Sequence, residues 1–386
     1  MGRSLGRCFE IIEVVRVVFA IKSLNNPGGG AEKVFADVAT GLSEQGFELK
    51  VLTFDQPGAS IFYPIPSQIE RINLGIGDVT CRATFTNTVR RIIAMRKIIR
   101  AMGPDVVVGF MHSMFIPIGF SLVGTGLPLI ASEHIVPQHY ETRPLERFLM
   151  RLIPFLTVQM TCVSEQVRDL YPKHVRRKMR VINNPFSLKV LNQANLSGVE
   201  GARKVLLSVG SLREQKDHIT LVRAFSQIAK RLPEWDLRIV GEGGMRKIIE
   251  SEISLLGMQD RIFLKGATSR IHCEYEQAQL CVIPSKYESL GLTTLEALAH
   301  GLPVVGFDDC SGTNTLIVSG ENGILVSGAS ERVENLARGL FLLMKDTNAR
   351  TLLAKRTISV GREYNISNVV EQWVQLIKET AEKQLN

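Results

Sequence analysis

Short apolar runs alternate with longer amphipathic segments along nearly the whole chain. An apolar run over residues 16–21 is followed by a helical pattern over 31–44 and a second apolar run over 47–54. This succession predicts a β-α-β unit of the length that parallel strands need. A short strand near residue 70 and an amphipathic helix over 86–102 extend it. The first part of the chain is therefore predicted to form a parallel sheet with helices on its faces.

One uncharged stretch has two interpretations. Between Asp105 and Glu133 there is no formal charge over a length that could form a membrane-spanning helix. The stretch begins with consecutive valines, and turn-forming residues interrupt it at Pro117, Gly119, Gly124, Gly126 and Pro128. A strand, a short helix and a second strand explain the same residues, because buried parallel strands are apolar throughout. We predict this arrangement and not a membrane span.

The second half of the chain repeats the alternation. A helix from about residue 144, a strand ending at Val163 and a last strand over 181–185 complete the first half, and a polar connector over 187–203 follows. The predicted strands after it cover 204–210, 237–240, 261–264, 280–284 and 303–307, and the predicted helices cover 218–231, 245–256, 271–278, 292–299 and 331–343. Two successive alternating halves predict two doubly wound α/β domains, over 1–190 and 200–365, that face each other. Ligands are expected beyond the carboxyl ends of the strands, in the loops that line the cleft.

Composition narrows the classes of partner. A length of 386 residues suits two domains, and a net charge of +8 suits an anionic partner. Nucleic acid is disfavoured because the basic residues do not alternate with aromatic ones. The cysteines form no CxxC pair, which favours reduced thiols and a cytosolic protein; they are Cys8, Cys81, Cys162, Cys273, Cys281 and Cys310. Glu10 and Glu13 interrupt the N-terminal apolar run, so we do not expect a signal peptide.

Two loops at predicted strand ends suit an anion. The first is the glycine-rich loop over 28–30, whose backbone amides could approach a phosphate at the start of a helix. Lys33 takes the third glycine position of the dinucleotide-binding pattern, so a dinucleotide site is not predicted, and a tight turn needing positive φ is the alternative. The second is the loop containing Arg213 and Lys216, which could bind a diphosphate or simply be solvated.

Two further loops carry side chains suited to chemistry. Glu288 and Glu296 stand eight residues apart around a predicted helix start at Leu292. Glu288 could then face a sugar ring and Glu296 a ribose, although glutamates on a helix commonly face solvent. His134 follows a predicted strand in Ser132-Glu133-His134, where a catalytic role and a structural role are both compatible with the position.

Taken in order, these motifs resemble family 4 of the retaining GT-B glycosyltransferases, in particular the members of bacterial exopolysaccharide, O-antigen or lipid-linked oligosaccharide assembly. The resemblance covers nearly the whole chain, and its most specific part is the E-x7-E element that ends in EALAHGLPVV. The other matching segments are GGGAE, SEH, VINNP, VGSLREQKD, IVGEGGMR, IPSKYESLGLTT and GENGILV. It implies two Rossmann-like domains across a cleft, with a C-terminal helix over 366–386 that returns to the first domain.

The resemblance also implies roles for individual residues. Glu296 is expected to hold the ribose of a UDP- or GDP-linked donor, Glu288 to face the donor sugar near the reacting centre, and His134 to lie against the transferred sugar. The diphosphate is expected to meet Lys216 and the backbone amides at the start of the helix, with the glycine-rich loop closing over it; these positions are Gly291, Leu292, Thr293, Gly29 and Gly30. The family usually has arginine where this chain has Ser211, and Arg213 is the candidate to replace it.

Transfer of a hexosyl unit with retention of the anomeric configuration follows from the resemblance, without a metal cofactor. The acidic pair Asp308-Asp309 lacks the DxD spacing of metal-using transferases. The alternatives within the same fold are a nucleotide-sugar epimerase and a catalytically silent protein that binds a sugar nucleotide.

The helix over 86–102 indicates the acceptor. Arg90, Arg96, Lys97 and Arg100 fall within an arc of about 120°, and apolar side chains take the opposite side with Arg91 out of place. Such an arc attracts an anionic membrane or a lipid-linked diphosphate, although a packed helix with a solvated basic face has the same pattern. We predict a peripheral protein on the cytoplasmic, inner face of the plasma membrane, with a polyprenyl-diphosphate-linked saccharide as acceptor.

Overall fold

A computed structural model describes residues 14–25, 29–81, 83–186, 193–357 and 364–385. Within these residues the first sheet has seven parallel strands in the spatial order β3-β2-β1-β4-β5-β6-β7. In chain order they are β1 (Arg16–Ala20), β2 (Glu48–Thr53), β3 (Glu70–Asn73), β4 (Val106–Phe110), β5 (Leu129–Ser132), β6 (Gln159–Cys162) and β7 (Met179–Val181). The order reverses between β1 and β4, which is the place where doubly wound sheets bind ligands.

Helices cover both faces of this sheet. They are α1 (Gly30–Glu44), α2 (Phe85–Met102), α3 (His112–Ser121), α4 (Pro144–Leu156), α5 (Glu165–Leu170) and α6 (Lys173–Arg176). All five residues of β4 are buried, which explains its unbroken apolar sequence. Because α3 packs between α2 and α4, these three helices lie on the same side of the sheet.

The second sheet lies in the second half of the chain. In its described part it has six parallel strands in the order β10-β9-β8-β11-β12-β13. They are β8 (Lys204–Val209), β9 (Trp235–Val240), β10 (Ile262–Gly266), β11 (Leu280–Ile283), β12 (Val304–Phe307) and β13 (Gly323–Val326). The helices are α7 (His218–Ala229), α8 (Arg246–Leu255), α9 (Ile271–Gln277), α10 (Leu292–Ala299), α11 (Ser311–Asn314), α12 (Arg332–Lys345) and α13 (Thr347–Thr357).

The last helix, α14 (Ile366–Leu385), leaves the second domain and packs on the first, beside α1. Its Trp373 is buried against Phe19 and Phe110 of the first sheet. Arg180 at the end of the first domain binds Glu379 and Gln375 of the same helix. The first domain is therefore completed by the end of the chain.

The predicted fold class, two doubly wound α/β domains, is confirmed. Residues 105–133 form β4, α3 and β5, and no helix in the described ranges has the length and apolarity to cross a membrane. One strand was placed wrongly: the last strand of the first sheet is Met179–Val181, and after it only the Ile182 amide within residues 182–185 still bonds the sheet, at Cys162 O. Lys178 before this strand and Arg180 within it interrupt the apolar pattern from which a strand would be predicted. β13 and α13 were not predicted either.

Some predictions fall on residues outside the described ranges. These are the absence of a signal peptide, which concerned Glu10 and Glu13, the thiol of Cys8, and the role of Gly28. The five cysteines in the described ranges are unpaired.

Candidate active site

Glu288 lies in the loop between β11 and α10, at the carboxyl end of a central strand. It is buried; its Oε1 accepts a hydrogen bond from Ser285 Oγ at 2.6 Å and forms an ion pair with Lys216 Nζ. A Cβ on Gly312 would lie only 2.7 Å from Glu288 Cβ, so the start of α11 approaches the glutamate as closely as glycine allows. The carboxylate is thus fixed next to a cation in the second domain.

Lys216 reaches this carboxylate from the loop after β8, so two neighbouring strands supply the pair. Its aliphatic stem packs over Gly210, where a Cβ would stand 3.4 Å from Lys216 Cδ. Asp217 follows in the left-handed region (φ 49°) and begins α7. The two loops that the sequence selected therefore meet at one ion pair.

Glu296 lies inside α10, one turn from its start, as the sequence predicted. Its Oε2 accepts a hydrogen bond from Tyr275 OH at 2.9 Å, and its Oε1 lies 3.9 Å from Lys33 Nζ of the first domain. Burial, and after it the proximity of this carboxylate, raises the pKa of Tyr63 to about 12. Groups from both domains therefore surround Glu296.

The N-terminus of α10 faces the glycine-rich loop of the first domain. Gly291 precedes the helix in the left-handed region (φ 65°), which favours glycine, and a Cβ on Gly30 would contact Leu292 Cδ1 at 3.5 Å. Gly29 has φ −71°, so the turn with positive φ considered from the sequence does not apply to it. The glycine-rich loop and the start of α10, with Thr293, thus adjoin each other across the cleft.

His134 stands just beyond β5 with both ring nitrogens bonded. Its Nε2 lies 2.8 Å from Ser132 Oγ, and its Nδ1 lies 3.2 Å from Asn184 Oδ1. The ring stacks on Phe110, which stacks in turn on Trp373 of α14. Burial lowers the pKa of His134 to about 4, so the imidazole is neutral at physiological pH.

Glu133 organises the turn that carries His134. Its carboxylate accepts hydrogen bonds from the backbone amides of His134 and Ile135 and from Tyr140 OH at 2.6 Å. Complete burial raises the pKa of Glu133 to about 7, although these bonds oppose the shift. The sequence alone had indicated no role for Glu133.

Arg213 is exposed and faces the first domain. Burial lowers the pKa of Lys22 and of His139, and the charge of Arg213 adds a smaller effect in the same direction on each. Arg213 therefore lies across the cleft from these residues, while Lys216 binds Glu288. Asp308 and Asp309 are engaged locally, by the Gly328 amide and by Arg332.

The basic arc of α2 needs one correction. Arg90, Lys97 and Arg100 are exposed, but Arg96 is half-buried and donates from Nη1 to the carbonyl oxygens of Ser121 and Val123, both at 2.8 Å. Arg96 thus binds the C-terminal end of α3 and contributes less to a free basic surface than the helical projection suggested. Arg91, which broke the pattern, is buried over the ring of Phe54.

Known proteins share this architecture. Residues 28–190 match the family described as Glycosyltransferase Family 4, and residues 192–360 match the family described as Glycosyl transferases group 1. The chain is a GT-B glycosyltransferase. It is 24% identical over 369 residues, 95% of this chain and 99% of the relative, to the Campylobacter jejuni enzyme described as GalNAc-alpha-(1->4)-GalNAc-alpha-(1->3)-diNAcBac-PP-undecaprenol alpha-1,4-N-acetyl-D-galactosaminyltransferase.

Solved structures agree on the fold of this glycosyltransferase. Sucrose-phosphate synthase from Thermosynechococcus elongatus superposes with a TM-score of 0.79 at 18% identity, covering 95% of this chain and 98% of that one. HepE of Anabaena, in complex with UDP and glucose, superposes with a TM-score of 0.76 at 17% identity, covering 94% and 99%.

Several residues around the site were missed from the sequence. In the sequence, Lys33 was notable only because it replaces a glycine of the dinucleotide-binding pattern, yet in the structure it lies beside Glu296. Tyr275 and Asn184 come from segments distant in sequence, and Trp373 comes from the C-terminal helix. Asn184 lies in the matching segment VINNP, which was the available clue to one of these contacts.

Proposed function

We propose that this glycosyltransferase belongs to the retaining family 4 and transfers a hexosyl unit from a nucleotide sugar to a polyprenyl-diphosphate-linked saccharide in cell-surface polysaccharide assembly. The observation that carries the proposal is the pair of carboxylates at one rim, Glu288 bound to Lys216 and Glu296 one helical turn inside α10. A nucleotide sugar has a suitable partner for each of these three residues: its sugar for Glu288, its diphosphate for Lys216 and its ribose for Glu296.

The donor would lie along the second domain. Glu296 would accept hydrogen bonds from the ribose hydroxyls, and Lys33, which lies 3.9 Å from the same carboxylate, would turn towards the phosphates. The amides at Gly291, Leu292 and Thr293 would meet the diphosphate at the positive end of α10. A UDP-linked donor has support from HepE, which binds UDP and glucose, although its likeness extends only to the fold.

Bond cleavage would depend on charge at the leaving group. As the bond from sugar to diphosphate breaks, negative charge grows on the phosphate oxygens, and fixed cations stabilise it. Lys216 is held at this place by Glu288, and Arg213 approaches from the exposed side of the same loop. We propose that these two residues supply the charge, without a metal at the diphosphate, and that Arg213 replaces the arginine absent at Ser211.

His134 would act on the sugar without changing its own charge. A neutral imidazole with both nitrogens bonded is suited to position a hydroxyl by exchanging one bond, and poorly suited to donate a proton near pH 7. The stack of His134 on Phe110 and Trp373 would keep the ring in place during transfer.

The acceptor and the membrane would meet the first domain. On α2, Phe85 is 84% exposed and Ile93 is 63% exposed, and Ile93 projects between Lys97 and Arg100. Apolar side chains among basic ones are typical of helices that lie in a membrane interface. The C. jejuni relative, whose described acceptor is an undecaprenol-diphosphate saccharide, supports a lipid-linked acceptor.

Helix α4 extends this surface. Its Leu145, Phe148 and Phe155 are exposed beside Arg147 and Arg151, and α3 connects it to α2. We propose that α2 and α4 rest on the anionic cytoplasmic leaflet of the plasma membrane and that the cleft opens towards the lipid-linked acceptor.

The test is a screen of UDP- and GDP-sugars for nucleotide release, with and without a polyprenyl-diphosphate-linked saccharide. We expect release from one donor that depends on the acceptor, and an NMR spectrum of the product that shows the donor's anomeric configuration. Conversion of the nucleotide sugar without an acceptor would favour the epimerase. Binding of UDP without turnover of any donor would favour the silent sugar-nucleotide-binding protein.

A further inference from the structure

Three potential metal ligands meet in the first domain, away from the carboxylates of the second. His112 begins α3 directly after β4, His139 lies in a short 3-10 turn over Pro137–Tyr140, and Glu146 lies in the first turn of α4. No two of their ligand atoms lie farther apart than 4.8 Å. The elements come from three places in the chain, so tertiary structure and not a local motif creates the cluster.

The spacing fits a small tetrahedral cation better than a hydrogen bond. His112 Nε2 lies 3.5 Å from Glu146 Oε2. Zinc bonds of about 2.0–2.2 Å with tetrahedral angles place two ligand atoms about 3.4 Å apart. The third ligand atom, on the partly buried ring of His139, lies within 4.8 Å of both.

The imidazole of His139 indicates a ligand that the described residues do not supply. Its Nε2 is buried and has no hydrogen-bond partner among the residues that the structure describes, while His112, which is 9% exposed, turns its Nε2 towards Glu146. A buried polar atom without a partner is uncommon and indicates a missing water or ion.

We propose that His112, His139 and Glu146 bind a Zn²⁺ ion on the acceptor side of the cleft. Two imidazoles and one carboxylate form a set that zinc uses with a fourth position left for water or for an oxygen of a ligand. The ion would join α3, the 3-10 turn and α4. The site is separate from the donor carboxylates, so this inference goes beyond the proposed transfer reaction.

Arg143 gives the proposal a second, opposite test. Its Nη1 lies 3.3 Å from the same Glu146 oxygen that faces His112. A guanidinium at that oxygen competes with a cation for the carboxylate and repels it. Removing the arginine should therefore strengthen metal binding, whereas removing a ligand should weaken it.

The experiment uses the full chain after treatment with a chelator. Equilibrium dialysis against ZnCl₂ should give about one Zn²⁺ per chain, and Co²⁺ should give the visible absorption of a tetrahedral complex with nitrogen and oxygen ligands. His139→Gln and Glu146→Gln should each weaken Zn²⁺ binding at least tenfold, and Arg143→Gln should tighten it several-fold. His174→Gln, which removes an exposed histidine of α6, should change nothing.

Folding and donor binding are separated from metal binding by two readouts. Circular dichroism shows whether each variant is folded, and titration with UDP shows whether the second domain still binds a nucleotide. Absence of a stoichiometric Zn²⁺, or equal Zn²⁺ binding by wild type and by both folded ligand variants, would overturn the proposal. Failure of the wild type to bind UDP would instead count against the proposed function.

Discussion

The cleft has two rims: the second-domain rim carries Glu288 and Glu296, and the first-domain rim carries His112 and His134. Their ionisable residues are held in opposite ways. At the second-domain rim, the side chains are present as ion pairs and hydrogen-bonded carboxylates: Glu288 with Lys216, and Glu296 with Tyr275 and Lys33. At the first-domain rim, burial lowers the pKa of His112, His134 and His139, and raises that of Glu133. Fixed charges suit a nucleotide diphosphate, while uncharged polar groups suit sugar hydroxyls. Under the proposed function, the donor's diphosphate would therefore meet the second-domain rim and the transferred sugar would meet the first-domain rim.

The largest expected effect is at Glu288. Glu288→Gln removes the charge that holds Lys216 but preserves the shape, so turnover should fall about 100- to 1,000-fold, as for loss of one preorganised electrostatic contact. Nucleotide affinity should change much less than turnover, because Lys216 keeps its own charge for the diphosphate and the proposed partner of Glu288 itself is the sugar. Steady-state kinetics and UDP titration measure the two quantities.

Glu334→Gln, at an exposed position of α12, is the control for this variant and should behave as wild type. If Glu288→Gln changed only KM, Glu288 would be a residue for donor binding, and the assignment of roles within the second-domain rim would be wrong.

The membrane surface of the first domain gives the next effect. Changing Arg90, Lys97 and Arg100 to glutamine removes three exposed charges, each worth about 1 kcal/mol near an anionic surface, so partitioning onto anionic liposomes should fall about 100-fold. Arg96 is left in place because it binds the end of α3. Sedimentation with liposomes provides the measurement.

The matched control removes the same charge from the second domain, at Lys247, Arg270 and Arg338. Equal losses for both triple variants would mean that net charge alone drives binding. Retained activity of the α2 variant on a short, water-soluble diphosphate acceptor would assign the arc to the membrane, and lost activity would assign it to the acceptor's diphosphate as well.

Glu296 should contribute somewhat less. Glu296→Ala removes hydrogen bonds from a charged group to the ribose, worth about 1.5–3 kcal/mol, so the Kd for UDP should rise roughly 10- to 150-fold. Lys33→Gln removes a competitor for the same carboxylate and a cation near the phosphates, so its effect should be smaller. Unchanged UDP affinity of Glu296→Ala in calorimetry would exclude Glu296 from the donor site.

The smallest effect concerns the stability of the first domain. The pKa of Glu133 rises to about 7 in the folded protein, from about 4.5 when unfolded, so its contribution is present below pH 4.5 and is lost as the pH rises to 7. The stability of Glu133→Gln relative to wild type should therefore increase over that range, by an amount on the order of 1 kcal/mol. Denaturant unfolding at pH 5 and pH 7.5 tests this, and a relative stability that falls with pH would contradict the burial of Glu133.

The sequence predicted the second-domain rim better than the first. Glu288, Glu296 and Lys216 lie in local motifs whose strand and helix positions follow from hydrophobic periodicity, so their convergence could be anticipated. The contacts of His134 with Asn184, and through Phe110 with Trp373, join residues from distant segments and depend on packing that periodicity does not specify. Arg96 shows the same limit, because a helical projection gives its direction but not the carbonyl groups that it meets.

The central claim is that the second-domain rim holds the nucleotide. Amide hydrogen exchange of the wild type, with and without UDP, tests it residue by residue. The account predicts that UDP slows exchange in residues 209–217 and 285–296, with little change in α2 or in residues 112–146. Protection confined to the first domain, or unchanged exchange over 285–296 at saturating UDP, would contradict it.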